Sequence, residues 1–276
     1  MNRLYAELLL NGRKLGKQSA GLKPRTVRYV HTIIHAALDD AVRWRRIPLN
    51  PADHENPPSA AQSKPPEMRV WTADQLRRFL ALNEQDRNYW QWFFLATTGC
   101  RRGEALGVRW ADIDLGRGIV AIRQELIPLA KPSGRGREGR LVARTKSEKP
   151  RVVELDAATV GALRTWRARQ AEERLLVGAA YDAHDLVFYR PDGQPYHPEA
   201  FSKTFTRRLT QAAFAELPTI RLHDRRHSWA TLALVAGVDV KIVSERLGHA
   251  SPLITWQTYQ HVIKGCSPMP PRGSRH

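Results

Sequence analysis

Two cysteines in 276 residues, Cys100 and Cys266, are too few and too far apart for a disulfide framework, and with no CxxC pair they form no cysteine metal site. Long apolar runs are missing as well. No stretch approaches the roughly 20 residues that span a bilayer, and the N-terminus lacks the basic end, apolar run and small-residue cleavage site of a signal peptide. The chain therefore reads as a cytoplasmic protein with no membrane partner. Acidic residues are the third scarcity: 27 Asp and Glu stand against 44 Lys and Arg, a net charge of +17. Such an excess favours a polyanionic partner, although a basic surface kept for solubility fits the charge alone.

What is present falls into a short and a long region. Pro24 opens a helical pattern to Arg46 in which Val27, Val30, Ile34, Leu38 and Val42 recur at three- and four-residue steps. Its other face carries Arg25, Arg28, Arg43, Arg45 and Arg46, either a solvated face or a phosphate-contacting one. Prolines 51, 57, 58, 65 and 66 make 50–68 an extended linker, with 1–49 a partial helical domain before it and 69–262 the main domain after it. In the main domain Thr72 and Gln75 have capping-box spacing, and an apolar helix containing Trp90, Phe93 and Phe94 stops at Gly99. Val120–Ile122, Val152–Leu155 and Val187–Phe188 suggest a small antiparallel sheet of about three strands. Residues 131–151 read as a flexible basic loop with Lys146 near its end. Asp156 caps a helix to about Val177, and Pro198 opens another to about Ala215. The fold class is mainly α with a small antiparallel β-sheet (α+β).

Chemistry concentrates between Leu222 and Val262. His223 and Arg226 stand three apart, so a helix would project them from one face toward an anion. Gly237 stops that helix, Asp239 caps the next, Gly248 ends it, and His249 follows at once. Ser251 and Pro252 start the helix bearing Tyr259. His223 and His227, at i and i+4, have the spacing of metal ligands, but the intervening arginines repel a cation and no HExxH glutamate accompanies them.

TGCRRGE at 98–104, Lys146 before a short strand, HDRRH at 223–227 and LGHASPLITWQTYQHV at 247–262 occur in this order. Together they resemble the tyrosine recombinase (phage integrase) family from about Thr72 to Val262, and the helix from Pro24 resembles the end of its core-binding domain. The resemblance implies a catalytic set of Arg101, Lys146, His223, Arg226, His249 and Tyr259. Arg101 and Arg226 would stabilise charge on the phosphate, with His249 adding a hydrogen bond. Tyr259 would be the nucleophile with His223 assisting, Lys146 the general acid, and Glu104 the support for Arg101. Arg225 stands where the family has an apolar residue, which would add charge beside the site.

The implied activity is cutting and rejoining DNA through a 3′-phosphotyrosine, with no metal, no ATP and no cofactor. The implied partners are double-stranded DNA attachment sites, a homotetramer of the chain and an accessory directionality factor. The alternatives are an inactive DNA-binding relic of an integrase and a type IB topoisomerase. Met1 enters partway through the core-binding half, and three prolines in the last twelve residues make 263–276 an irregular tail, so a truncated or frame-shifted gene product is expected.

Overall fold

The structure, a computed structural model, describes residues 1–15, 18–64, 68–130, 137–142, 150–181 and 184–265. The chain divides into two compact units, Met1–Glu67 and Met68–His276.

The first unit holds helix α1 (Asn2–Asn11), a short antiparallel hairpin of β1 (Arg13–Leu15) and β2 (Gln18–Ala20), and helix α2 (Pro24–Arg43). The apolar periodicity carries α2 as expected, but it stops three residues short of Arg46. Arg45 adopts a left-handed φ of 57°. Its N–H bonds Val42 O while Arg46 N–H bonds Ala41 O, each at 2.8 Å. These are the paired bonds of a Schellman termination, here with arginine in the position usually given to glycine. The proline-rich stretch is not an extended linker over its described length. Asn50 donates to His35 O at 3.1 Å and to Asp39 at 2.6 Å. Glu55 accepts from Asn2 N–H at 2.7 Å, and Arg28 donates to Pro58 O at 2.8 Å. Its polar groups thus fold it back onto the two helices. Arg28 and Arg43, the latter bound to Asp40, are already engaged within the unit.

The second unit begins with α3 (Ala73–Leu82), whose Thr72–Gln75 capping box closes in both directions, and α4 (Tyr89–Thr98). Helix α5 (Arg102–Gly107) leads to a three-stranded antiparallel sheet ordered β3 (Ile113–Asp114), β4 (Ile119–Ile122), β7 (Arg151–Glu154). Between β4 and β7 a separate hairpin pairs β5 (Glu125–Ala130) with β6 (Arg137–Val142), so part of the expected loop is a strand. Helices α6 (Ala157–Val177), α7 (Pro198–Leu209), α8 (Asp224–Val235), α9 (Val240–Leu247) and α10 (Pro252–Gly265) complete it. Asp156 caps α6 as expected, accepting from Thr159 N–H at 2.7 Å. Helix α7 ends before Ala215, the remainder being a single 3₁₀ turn at Ala212–Phe214.

Val187 and Phe188 are not the third strand; Ile113–Asp114 takes that place. Side chains of α6 claim the backbone there instead: Trp166 donates to Val187 O and Gln170 to Leu186 O. Both residues are fully buried in the main core beside Trp71, Phe79, Trp92, Phe205 and Trp166. A second, smaller cluster joins Ala230, Leu234, Val243, Leu247 and Tyr259. Among the described residues no helix is long and apolar enough to cross a membrane.

Arg225 does not add charge beside the site. It turns into the main core, 2% exposed, with its guanidinium 5.5 to 5.9 Å from the ring centres of Phe79, Trp92 and Phe205. It donates to Trp92 O, while its Nε and Nη1 find no partner among the described residues. Burial pushes its guanidinium down to about 9. An uncompensated buried charge costs more than the ring contacts return. Arg225→Met should therefore stabilise the fold by about 1 kcal/mol or more, read as a higher urea midpoint at unchanged slope.

Candidate active site

The site is built around one carboxylate. Gly99 ends α4 in the left-handed region (φ 66°), and a β-carbon there would lie 2.6 Å from the Trp229 ring. The turn delivers Arg101 to the start of α5 and places Glu104 one turn on. Glu104 Oε2 accepts from Arg101 N–H at 2.7 Å, and Oε1 accepts from Arg101 Nη1 at 2.8 Å. Arg151, the first residue of β7, donates to both oxygens at 2.8 and 2.6 Å. Glu104 is 1% exposed. Burial alone would raise its carboxyl, but the bonds and charge of Arg151, then Arg101, win and hold it at about 2. The same guanidiniums reach the end of α9: Arg101 donates to Gly248 O at 3.2 Å and Arg151 to Arg246 O at 3.0 Å.

Arg226, on α8, is also buried. It donates to Gly99 O at 2.9 Å and to Leu247 O, so the C-terminal carbonyls of α4 and α9 hold it. Burial, then the charge of Arg101, pushes its guanidinium down to about 10. Gly248 (φ 65°) turns the chain closely over Arg151, whose Nη1 would lie 3.0 Å from a β-carbon. His249 follows, with Nδ1 2.7 Å from Thr255 Oγ1. Burial and the charges of Arg226 and Arg101 push His249 down to about 4.

His223 is the residue that caps α8 rather than a member of it. It lines an open pocket of about 300 Å³ with Arg101, Arg102, Gly103, Ser202 and Leu222. Burial and then Arg226 lower its pKa. Tyr259, on α10, is 1% exposed, and its Oη lies 2.7 Å from Nδ1 of His227. Burial raises its hydroxyl to about 12 against the opposing charge of Arg226. The rings of His223 and His227 meet edge to face at 5.2 Å. The structure thus brings Arg101, His223, Arg226, His249 and Tyr259 into one neighbourhood, while Lys146 lies outside the described residues.

Two residues of this site carried no role in the sequence reading. Arg151 begins the Val152–Val153 strand run and shows no signal there beyond its charge. His227 stands one helical turn after His223, so the i, i+4 spacing was legible, and its partner is a tyrosine hydroxyl.

The Phage integrase family model matches residues 69–265. The chain belongs to the phage integrase family. It is 26% identical over 246 residues to the ICEBs1 integrase of Bacillus subtilis, covering 88% of this chain and 63% of that protein. It is 33% identical over 174 residues to a tyrosine recombinase XerC-like protein of Caldanaerobacter subterraneus subsp. tengcongensis, covering 60% of this chain and 43% of that one. The chain thus spans less than two thirds of the length of either relative. In fold it is similar to the Tn1549 transposon integrase solved with transposon right end DNA, with a TM-score of 0.72 at 19% identity over 87% of this chain and 76% of that one. It is also similar to XerA recombinase, with a TM-score of 0.55 at 18% identity over 97% and 89% of the two chains.

Glu104→Gln should cost about 3 to 5 kcal/mol of stability at pH 7, because it strands two guanidiniums around a neutral amide. Because the folded-state pKa of Glu104 is depressed, its contribution is complete above the ordinary value of 4.5 and is lost as pH falls toward about 2. Urea unfolding at stepped pH should show that acid loss in the native chain and a smaller one in Glu104→Gln.

Proposed function

We propose that this chain is a site-specific recombinase that cuts and rejoins DNA through a 3′-phosphotyrosine. The supporting observation is electrostatic and geometric. Arg101 and Arg226, from distant segments, lie close enough for each to bear on His249, and the charge of Arg226 bears on Tyr259.

Attack on a phosphodiester adds negative charge to its nonbridging oxygens. Two fixed guanidiniums offset that charge in a partly dry site, where such donors are worth more than in water. His249 is held by the contact of its Nδ1 with Thr255 Oγ1, and with its proton on Nε2 it would donate to a phosphate oxygen. Tyr259 Oη is the nucleophile. The departing 5′ oxygen takes its proton from Lys146, a role that rests on the family resemblance. The phosphotyrosyl bond stores the energy of the broken linkage, so a second DNA end reverses the step without ATP. Charge stabilisation by guanidiniums leaves no step that calls on a metal.

The substrate on this reading is duplex DNA carrying attachment sites. A homotetramer on two duplexes and an accessory directionality factor belong to the same family-based proposal, as do a cytoplasmic location and a core-binding role for the first unit. Binding by basic surfaces should weaken steeply with salt through counterion release.

The test is incubation with a nicked duplex carrying the attachment site. The native chain should form an adduct that survives denaturing electrophoresis, and Tyr259→Phe should abolish it. Arg226→Gln should slow adduct formation by about 10² to 10³. An adduct that persists in Tyr259→Phe would remove Tyr259 as nucleophile, and no adduct from the native chain would favour a DNA-binding relic.

A further inference from the structure

Resting on the reading of Tyr259 as nucleophile, we infer that His227, rather than His223, accepts the hydrogen bond of Tyr259 Oη and takes its proton during attack. The contact itself is the first ground. A buried phenol hydroxyl needs an acceptor, and Nδ1 of His227 lies 2.7 Å from it. No hydrogen bond joins His223 to Tyr259 among the described residues. His223 instead lines the open pocket with Arg101, placing it on the side where a phosphate would enter.

Protonation state is the second ground. An imidazole accepts only through an unprotonated nitrogen, so His227 must be neutral with its proton on Nε2. Its surroundings enforce neutrality. His223, Asp224, Arg226 and the neighbouring Arg221 face it from its own segment, Tyr259 from α10, and His249 from the turn after α9. Burial acts first, and of these charges only Asp224 opposes the lowering, so the imidazole is pushed down to about 4. A phosphodiester seated between Arg101 and Arg226 would cancel part of that positive field. The base would then strengthen when the nucleophile needs it.

The step balances. As the Oη–P bond forms and the P–O5′ bond breaks, the Oη proton passes to Nδ1, and the 5′ oxygen takes a proton from the general acid. In rejoining, the incoming 5′-hydroxyl returns a proton to that acid and the imidazolium returns its own to Oη. His223 is then free to serve the phosphate oxygens.

The test has two arms. In the first, ¹⁵N spectra of the native chain without DNA report the His227 tautomer. Nδ1 should be unprotonated, and Tyr259→Phe should shift that nitrogen toward the value of an unbonded one. A proton on Nδ1 would overturn the proposal whatever the DNA result. The second arm uses the nicked attachment-site duplex and His227→Asn, whose amide oxygen can keep the bond to Oη but cannot take a proton. Adduct formation should fall by about 10² to 10⁴, and the loss of rate on acidification that the native chain should show ought to disappear. His223→Asn should keep that acid limb. A native rate and an unchanged acid limb in His227→Asn would overturn the proposal. Failure of the native chain to form any adduct would instead count against the recombinase reading, with the tautomer still deciding the contact.

Discussion

The Glu104 carboxylate is the contact on which the site depends. It is almost wholly buried, and it is shared by Arg101 from the start of α5 and Arg151 from the start of β7. Removing a carboxylate from water costs several kcal/mol, which is offset only when charged donors fill its lone pairs. Here four N–H groups do so, three from guanidiniums and one from the Arg101 backbone. Each arginine also donates to a carbonyl at the end of α9, Arg101 to Gly248 O and Arg151 to Arg246 O. One ionised group therefore ties a helix start, a strand start and a helix end together. That is how side chains separated by more than half of the second unit come to share one site.

Arg226 is held by a different device with a different result. Its partners are the carbonyls of Gly99 and Leu247, each at the C-terminal end of a helix. Such ends carry partial negative charge and favour a cation without neutralising it. Among the described residues three guanidiniums thus stand around one carboxylate that bonds only two of them, and two positive charges are left for an incoming anion. A second acidic side chain would have made the apo fold more comfortable and the site worse at receiving phosphate. The left-handed glycines at 99 and 248 serve this arrangement, since each aims a chain reversal at the site where a β-carbon would strike Trp229 or Arg151.

Helices were the most legible part of the sequence, because caps and glycine stops act locally. The Thr72–Gln75 box, Asp156, Asp239 and Gly248 all do what their positions imply. Two of the misreadings share one cause, which is that a residue's partner lies far away in sequence. Val187 and Phe188 have the composition of a strand, yet Trp166 and Gln170 take the carbonyls that a neighbouring strand would have used. Arg225 was expected beside the site because its neighbours are there, but its helix face turns it onto Phe79, Trp92 and Phe205. The α2 terminus came early because Arg45 takes a conformation that composition assigns to glycine. In the site, motif order placed Arg101, Arg226, His249 and Tyr259, whereas Arg151 has only a partner, Glu104, that no local pattern reveals.

Tyr259 is buried by a cluster quite unlike the one that buries Trp92. Among the described residues the main core contains nine buried phenylalanine and tryptophan rings drawn from across the second unit. The cluster that holds Tyr259 has five buried residues, two of them Ala230 and Tyr259 itself, contributed by α8, α9 and α10 alone. Local opening costs scale with the apolar contact given up, and the smaller cluster offers less buried apolar surface than the main core. On α9 and α10, Ile242, Leu253 and Trp256 are open to solvent. Arg226 is anchored to both regions, through Gly99 at the end of α4 and Leu247 at the end of α9. Arg226 therefore links the two regions, and the nucleophile sits on the smaller of them. Before any substrate arrives, Tyr259 is seated in that smaller cluster with its hydroxyl bonded to His227.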